Sequence, residues 1–124
     1  MNGDRRKAIG AAGEAAAAAY LAGQGYKVVA ANWRCRFGEL DLVAAKDGTL
    51  AFVEVRTRSS RSLGRFGAPL ESVTPGKQAK LRRLAEAYLQ REKPRPDRIR
   101  FDCVGVVLGE NGAPLSVDHL EDAF

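Results

Sequence analysis

Sulfur, histidine and long apolar runs are scarce in this 124-residue chain, and each scarcity removes a class of function. Two cysteines, Cys35 and Cys103, lie far apart with no CxxC or histidine spacing around them. Neither a structural zinc site nor a disulfide scaffold is expected, and both read as reduced thiols in or near the core of a cytoplasmic protein. His119, the one histidine, has no partner in sequence and reads as surface or structural. The Ala-rich run after Arg5-Arg6-Lys7 looks at first like a signal peptide. Glu14 and four glycines (10, 13, 23 and 25) interrupt it, however, and alanine is too weakly apolar for a membrane span, so a soluble helix is expected. No internal repeat or low-complexity linker is present. The length suits a single domain, residues 1–124, with one core.

What the chain does contain is charge, unevenly placed. The net charge is +5. Residues 55–85 carry eight Lys or Arg (56, 58, 61, 65, 77, 80, 82 and 83) against Glu71 alone, whereas residues 101–124 carry five acids and no Lys or Arg. A basic region of this kind is either a solvated helix face with a basic loop or a surface for a polyanion.

The strongest local signal is Asp47-Gly48, which suits a two-residue hairpin turn because both positions take positive φ. The flanking runs 38–46 and 49–58 become strands, with paired residue numbers summing to 95. Lys46 then faces Thr49, Val43 faces Phe52, Asp41 faces Glu54 and Glu39 faces Arg56. Strict alternation puts Glu39, Asp41, Val43, Phe52, Glu54 and Arg56 on one face, and Leu40, Leu42, Ala44, Ala51, Val53 and Val55 on the other. A hairpin this apolar belongs in a sheet covered on both sides. Opposed like charges destabilise a strand pair, so Asp41 and Glu54 need a cation between them. A divalent metal can supply it; so can Arg56, which would make a metal-free charge cluster.

Around the hairpin, residues 6–23 read as a helix whose Glu14 points either to water or to the acidic site. Tyr26–Ala31 reads as a strand and residues 32–38 as a loop, in which Trp33 and Phe37 alternate with Arg34 and Arg36 and either stack bases or pack into the core. Residues 59–73 read as a polar loop whose Arg61 and Arg65 suit a backbone phosphate. Thr74 and Pro75 start a second helix with the apolar stripe Leu81, Leu84, Ala85, Tyr88 and Leu89; Lys77 and Gln78 sit in its first turn, where free N–H groups favour phosphate. Residues 99–108 read as a central strand and 115–117 as a short last one. The order is α-β-β-β-α-β, an α/β fold with a mixed sheet flanked by helices.

Asp41 followed by Glu54-x-Arg56 resembles the D…(D/E)xK signature of restriction-endonuclease-like nucleases. Gly13-Glu14, Gly25-Tyr26, Asn32 with Arg34, the runs 38–43 and 52–58, Lys77 and Arg100-Phe101-Asp102 extend the likeness. Together they resemble the YraN-like family of small bacterial proteins over nearly the whole chain. The resemblance implies a restriction-endonuclease-like fold similar to archaeal Holliday-junction resolvases, which work as dimers, so a homodimer is an open expectation. It implies a DNA endonuclease using Mg²⁺ or Mn²⁺, with branched or single-stranded DNA as candidate substrates. Asp41, Glu54 and the Val55 carbonyl would hold the metal, with Glu14 assisting from the first helix. Asp41, Glu54, Arg56 and Glu14 would form the catalytic set, and Arg34, Arg36, Arg58, Arg61, Arg65, Lys77 and Gln78 are the expected nucleic-acid contacts. The wider signature has lysine at position 56. Arginine stays protonated and cannot act as a base, but it can orient a phosphate and stabilise transition-state charge. The alternative is a non-catalytic nucleic-acid-binding protein on the same fold.

Overall fold

The structure, a computed structural model, describes residues 3–60 and 73–124. Seven elements follow in order: α1 (Gly3–Gly23), β1 (Lys27–Cys35), β2 (Gly38–Lys46), β3 (Thr49–Ser59), α2 (Pro75–Glu92), β4 (Arg98–Leu108) and β5 (Pro114–Leu120). The strands form one sheet in the order β1-β2-β3-β4-β5. The β3–β4 pair is parallel and the others antiparallel, so the sheet is mixed, as expected. No helix of the described residues is long and apolar enough to cross a membrane.

The two helices cover opposite faces. Ala17 and Leu21 of α1 pack on Leu42, Ala44, Ala51, Val53, Val104 and Val106. Leu81, Leu84, Ala85 and Tyr88 of α2 pack on Leu40, Val43, Leu50, Phe52 and Phe101. Each fully buried Leu or Val there contributes roughly 1.5–3 kcal/mol from area removed from water. The second helix begins as read: the Thr74 hydroxyl accepts from the Lys77 amide at 3.2 Å and Pro75 occupies the first turn. Small residues let α1 lie close to the sheet. A Cβ at Gly13 would come within 2.6 Å of Thr57 Cγ2 and 2.7 Å of Thr57 Cβ, and closer still to its hydroxyl. A β-branched side chain on a strand cannot swing aside, so Gly13→Ala is expected to cost about 2–3 kcal/mol, read as a lowered urea midpoint at unchanged slope.

The hairpin turn is as expected. Asp47 and Gly48 have φ of 48° and 79°, and the register Lys46↔Thr49, Val43↔Phe52, Leu42↔Val53 holds the sum of 95. Beyond Leu42↔Val53 the expected register fails. Asp41↔Glu54 and Glu39↔Arg56 do not pair, because β2 leaves β3 while staying paired to β1 through Trp33↔Leu40 and Arg34↔Glu39. Leu40 correspondingly packs in the α2-side core with Val43, not on the face of Leu42. The cause is local: the Asp41 carboxylate takes the Val55 N–H at 2.9 Å, so a side chain stands where a ladder bond would form.

Two further expectations change. β1 runs on to Cys35 through the expected loop, because Asn32 tolerates the left-handed φ of 53° while Trp33, Arg34 and Cys35 still pair with β2. For His119 the structural alternative holds and the surface one does not: its side chain is 6% exposed and Nε2 donates to Asp102 Oδ2 at 2.8 Å. The expected loop at 59–73, with Arg61 and Arg65, falls largely outside the described residues. Both cysteines are free, Cys103 buried and Cys35 partly so.

Candidate functional site

The parting of β2 from β3 opens the sheet at its charged end, and Asp41 sits at the opening. Carboxylate oxygens of Glu14, Glu39 and Asp41 all lie within 4.8 Å of one another. Glu14 therefore reaches the acidic site from α1 and does not simply point to water. Glu39, expected opposite Arg56, instead joins Glu14 and Asp41, and it accepts from Arg34 Nε at 2.9 Å. Sequence reasoning missed Glu39 as a site residue because the expected hairpin register set it opposite Arg56.

Glu54 is approached from the other helix. Lys77 Nζ lies 3.3 Å from its Oε1, and its side chain is only 11% exposed. Its second oxygen, Oε2, is buried with no hydrogen-bond partner among the described residues. Burial pushes the Asp41 carboxyl up to about 6; the Val55 N–H pulls it down, Glu54 and Glu14 push it further up, and Lys77 pulls it down. The carboxylates thus act on one another across the opening, although Asp41 and Glu54 do not pair across the strands.

The other expected site residues divide into three groups. Arg56 follows Glu54 on β3 and registers with Gly105 of β4; its charge is felt at Cys103, whose thiol burial pushes up. Arg34 is engaged by Glu39, Gln78 donates to the Val73 carbonyl at 2.9 Å, and Arg58 Nη1 donates to the Thr57 carbonyl at 3.0 Å while its Nε is buried without a partner among the described residues. Arg36 lies over the Phe37 ring. The two loop aromatics separate: Trp33 packs edge-on against Tyr88 and donates to Glu92, whereas Phe37 is 39% exposed.

A family model described as an uncharacterised protein family, UPF0102, matches residues 13–106. The chain belongs to UPF0102. This is the YraN-like family whose motifs it resembles. The UPF0102 protein of Nocardia farcinica is 48% identical over 119 residues, covering 96% of this chain and 91% of that one. That of Symbiobacterium thermophilum is 48% identical over 116 residues, covering 94% and 95%. That of Moorella thermoacetica is 44% identical over 119 residues, covering 96% and 97%. UPF0102 relatives are therefore matched across nearly their full length, and the family match takes in the hairpin, the second half of α1 and most of β4.

Proposed function

We propose that this chain is a metal-dependent phosphodiesterase acting on DNA, with its centre at Asp41 and Glu54. The observation that carries the reading is Glu54 Oε2, a buried carboxylate oxygen without a hydrogen-bond partner among the described residues, next to an Asp41 carboxyl whose ionisation burial and its acidic neighbours oppose. A divalent cation relieves both. The donor set is all oxygen, which suits Mg²⁺ or Mn²⁺ and argues against zinc. Asp41, Glu54 and the Val55 carbonyl would hold the ion, with Glu14 and Glu39 at its margin. When bound, such an ion lowers the pKa of a coordinated water and offsets charge on the phosphate under attack.

The chain's own groups supply positioning. Asp41 fixes the backbone at Val55 through its hydrogen bond, so its loss would disturb Glu54 and Arg56 on either side. Arg56 supplies a permanent cation that orients a phosphate. Lys77, at 3.3 Å from Glu54, brings from α2 the ammonium that the wider signature carries two residues after the glutamate. DNA as the substrate is supported by the family likeness and by the cations on α2.

Calorimetry with Mn²⁺ beside a nuclease panel of branched, flap, single-stranded and duplex DNAs tests the reading. Glu54→Gln keeps the side chain's volume and removes its charge; it is expected to abolish the Mn²⁺ heat and to lower cleavage by at least about 10²-fold. Cutting that survives the substitution indicates a contaminant. Absent Mn²⁺ heat with salt-dependent DNA binding intact would establish the non-catalytic alternative.

A further inference from the structure

We infer that the groove between the β1–β2 turn and the start of α2 takes an unpaired nucleotide of a single strand, with Phe37 as its stacking platform. The inference deepens the nuclease reading by naming a substrate class, and rests on it only for cleavage, not for binding. A cavity of about 360 Å³ lies there, lined by Phe37, Gly76, Ala79, Lys80 and Arg83. The four helical positions are spaced i, i+3, i+4 and i+7, so they share one face of α2. Gly76 and Ala79 leave room; Lys80 and Arg83 supply charge; among the described residues no acid lines the groove.

Phe37 is, among the described residues, the one strongly exposed aromatic, at 39%. It is held in place by its turn. Gly38 has a φ of +137°, and a Cβ there would meet Lys80 Cε at 3.2 Å, so the glycine lets the lysine stem lie against the turn. The guanidinium carbons of Arg36 and Arg83 lie 5.0 and 5.6 Å from the ring centroid. Planar cations beside an aromatic ring can themselves stack on a base or pivot to its phosphate.

The groove also leads to the acids. Lys77 lies one turn before Lys80 on α2 and touches Glu54. Arg83, Lys80 and Lys77 therefore form a row that spans roughly 9 Å at 1.5 Å per residue and ends at the metal-binding carboxylates. Phosphates laid along that row would bring a base to Phe37. A paired base inside a duplex has both faces covered by its neighbours, so a ring of this kind selects for a base that is out of the stack.

Fluorescence titration of the full chain in chelator tests the inference without any cleavage, using a short single-stranded DNA carrying 2-aminopurine and the matching duplex. The wild-type chain is expected to quench the probe. Phe37→Ala is expected to weaken single-strand binding about tenfold and leave duplex binding within twofold, whereas Phe37→Trp retains the wild-type affinity. Phe37 is exposed, so a thermal melt within a few degrees of wild type excludes misfolding as the cause. Equal effects of Phe37→Ala on single strand and duplex, no effect on either, or no single-strand binding by the wild type would each overturn the inference. Phe37-dependent binding in a chain that never cuts would leave the inference standing and remove the nuclease reading.

Discussion

Asp102→Ala is expected to lower stability by about 3–5 kcal/mol, roughly 15 °C in Tm, with Asp102→Asn intermediate. Asp102 is fully buried and serves four groups. Arg100 donates through Nε to Oδ1 and Nη2 to Oδ2, both at 2.8 Å; His119 Nε2 donates to Oδ2 at 2.8 Å; the Asp122 amide donates to Oδ1 at 3.0 Å. Arg100 also donates to the Tyr26 hydroxyl, so the carboxylate ties β4 to β5, the C-terminal segment and the connection between α1 and β1. Removing it strands a guanidinium whose side chain is only 10% exposed. Asparagine keeps an acceptor but not the charge. Burial alone would push the Asp102 carboxyl up, yet the bonds from His119, Arg100 and the Asp122 amide outweigh it and hold it at about 2. A depressed folded-state value contributes stability that is complete above the ordinary carboxylate range near 4. That contribution is lost as pH falls toward 2. The gap between wild type and Asp102→Asn in urea unfolding should therefore narrow from pH 4 to pH 2. A gap that stays constant would mean that the carboxylate's charge contributes nothing to the network.

This network shows where sequence reasoning stopped. Asp102 and His119 are 17 residues apart, and neither carries a local pattern that marks the other. They meet only because β5 turns back on β4 in the register Val104↔His119, which puts Asp102 on the diagonal. The acidic C-terminus, legible only as a charge asymmetry, is partly accounted for by the same corner: Glu121 reaches Arg100 at 3.6 Å and Phe124 stacks on Phe101. Elements carried by short-range chemistry were legible. Asp47-Gly48 set the hairpin, Thr74-Pro75 set the start of α2, and the period of its apolar stripe set the buried face. The candidate site was legible in part. Asp41 and Glu14 come together and Glu54 acts on Asp41 through its charge, but the hairpin register could not foresee a carboxylate capturing the Val55 amide, parting the strands and bringing Glu39 to Glu14. Helical spacing at 76, 79, 80 and 83 was a usable signal for the Phe37 groove; the turn that brings Phe37 to it was not.

Asp41→Asn is expected to stabilise the metal-free chain by about 2 kcal/mol at pH 8 while removing Mn²⁺ binding and lowering cleavage by at least about 10³-fold. The two effects have one origin. The Asp41 carboxyl is held up at about 6, above its ordinary 3.8, so its ionised form is disfavoured in the folded chain. For an acid shifted upward the cost is absent below about pH 4. It grows between pH 4 and 6, and stays in full above pH 6. Asparagine carries no charge to oppose Glu54 and Glu14, and its side-chain oxygen can still accept the Val55 N–H. The stability gap in favour of the variant should therefore open across pH 4–6 in chelator and close when Mn²⁺ is added to the wild type, because the cation offsets the charge that the fold leaves uncompensated. Thermal melts of both proteins, with and without Mn²⁺, read all of this in one series. A variant less stable than wild type at pH 8 would show that Asp41 is needed as a structural ion-pair partner, and the case for a cation at this opening would then fail on stability grounds before any nuclease assay.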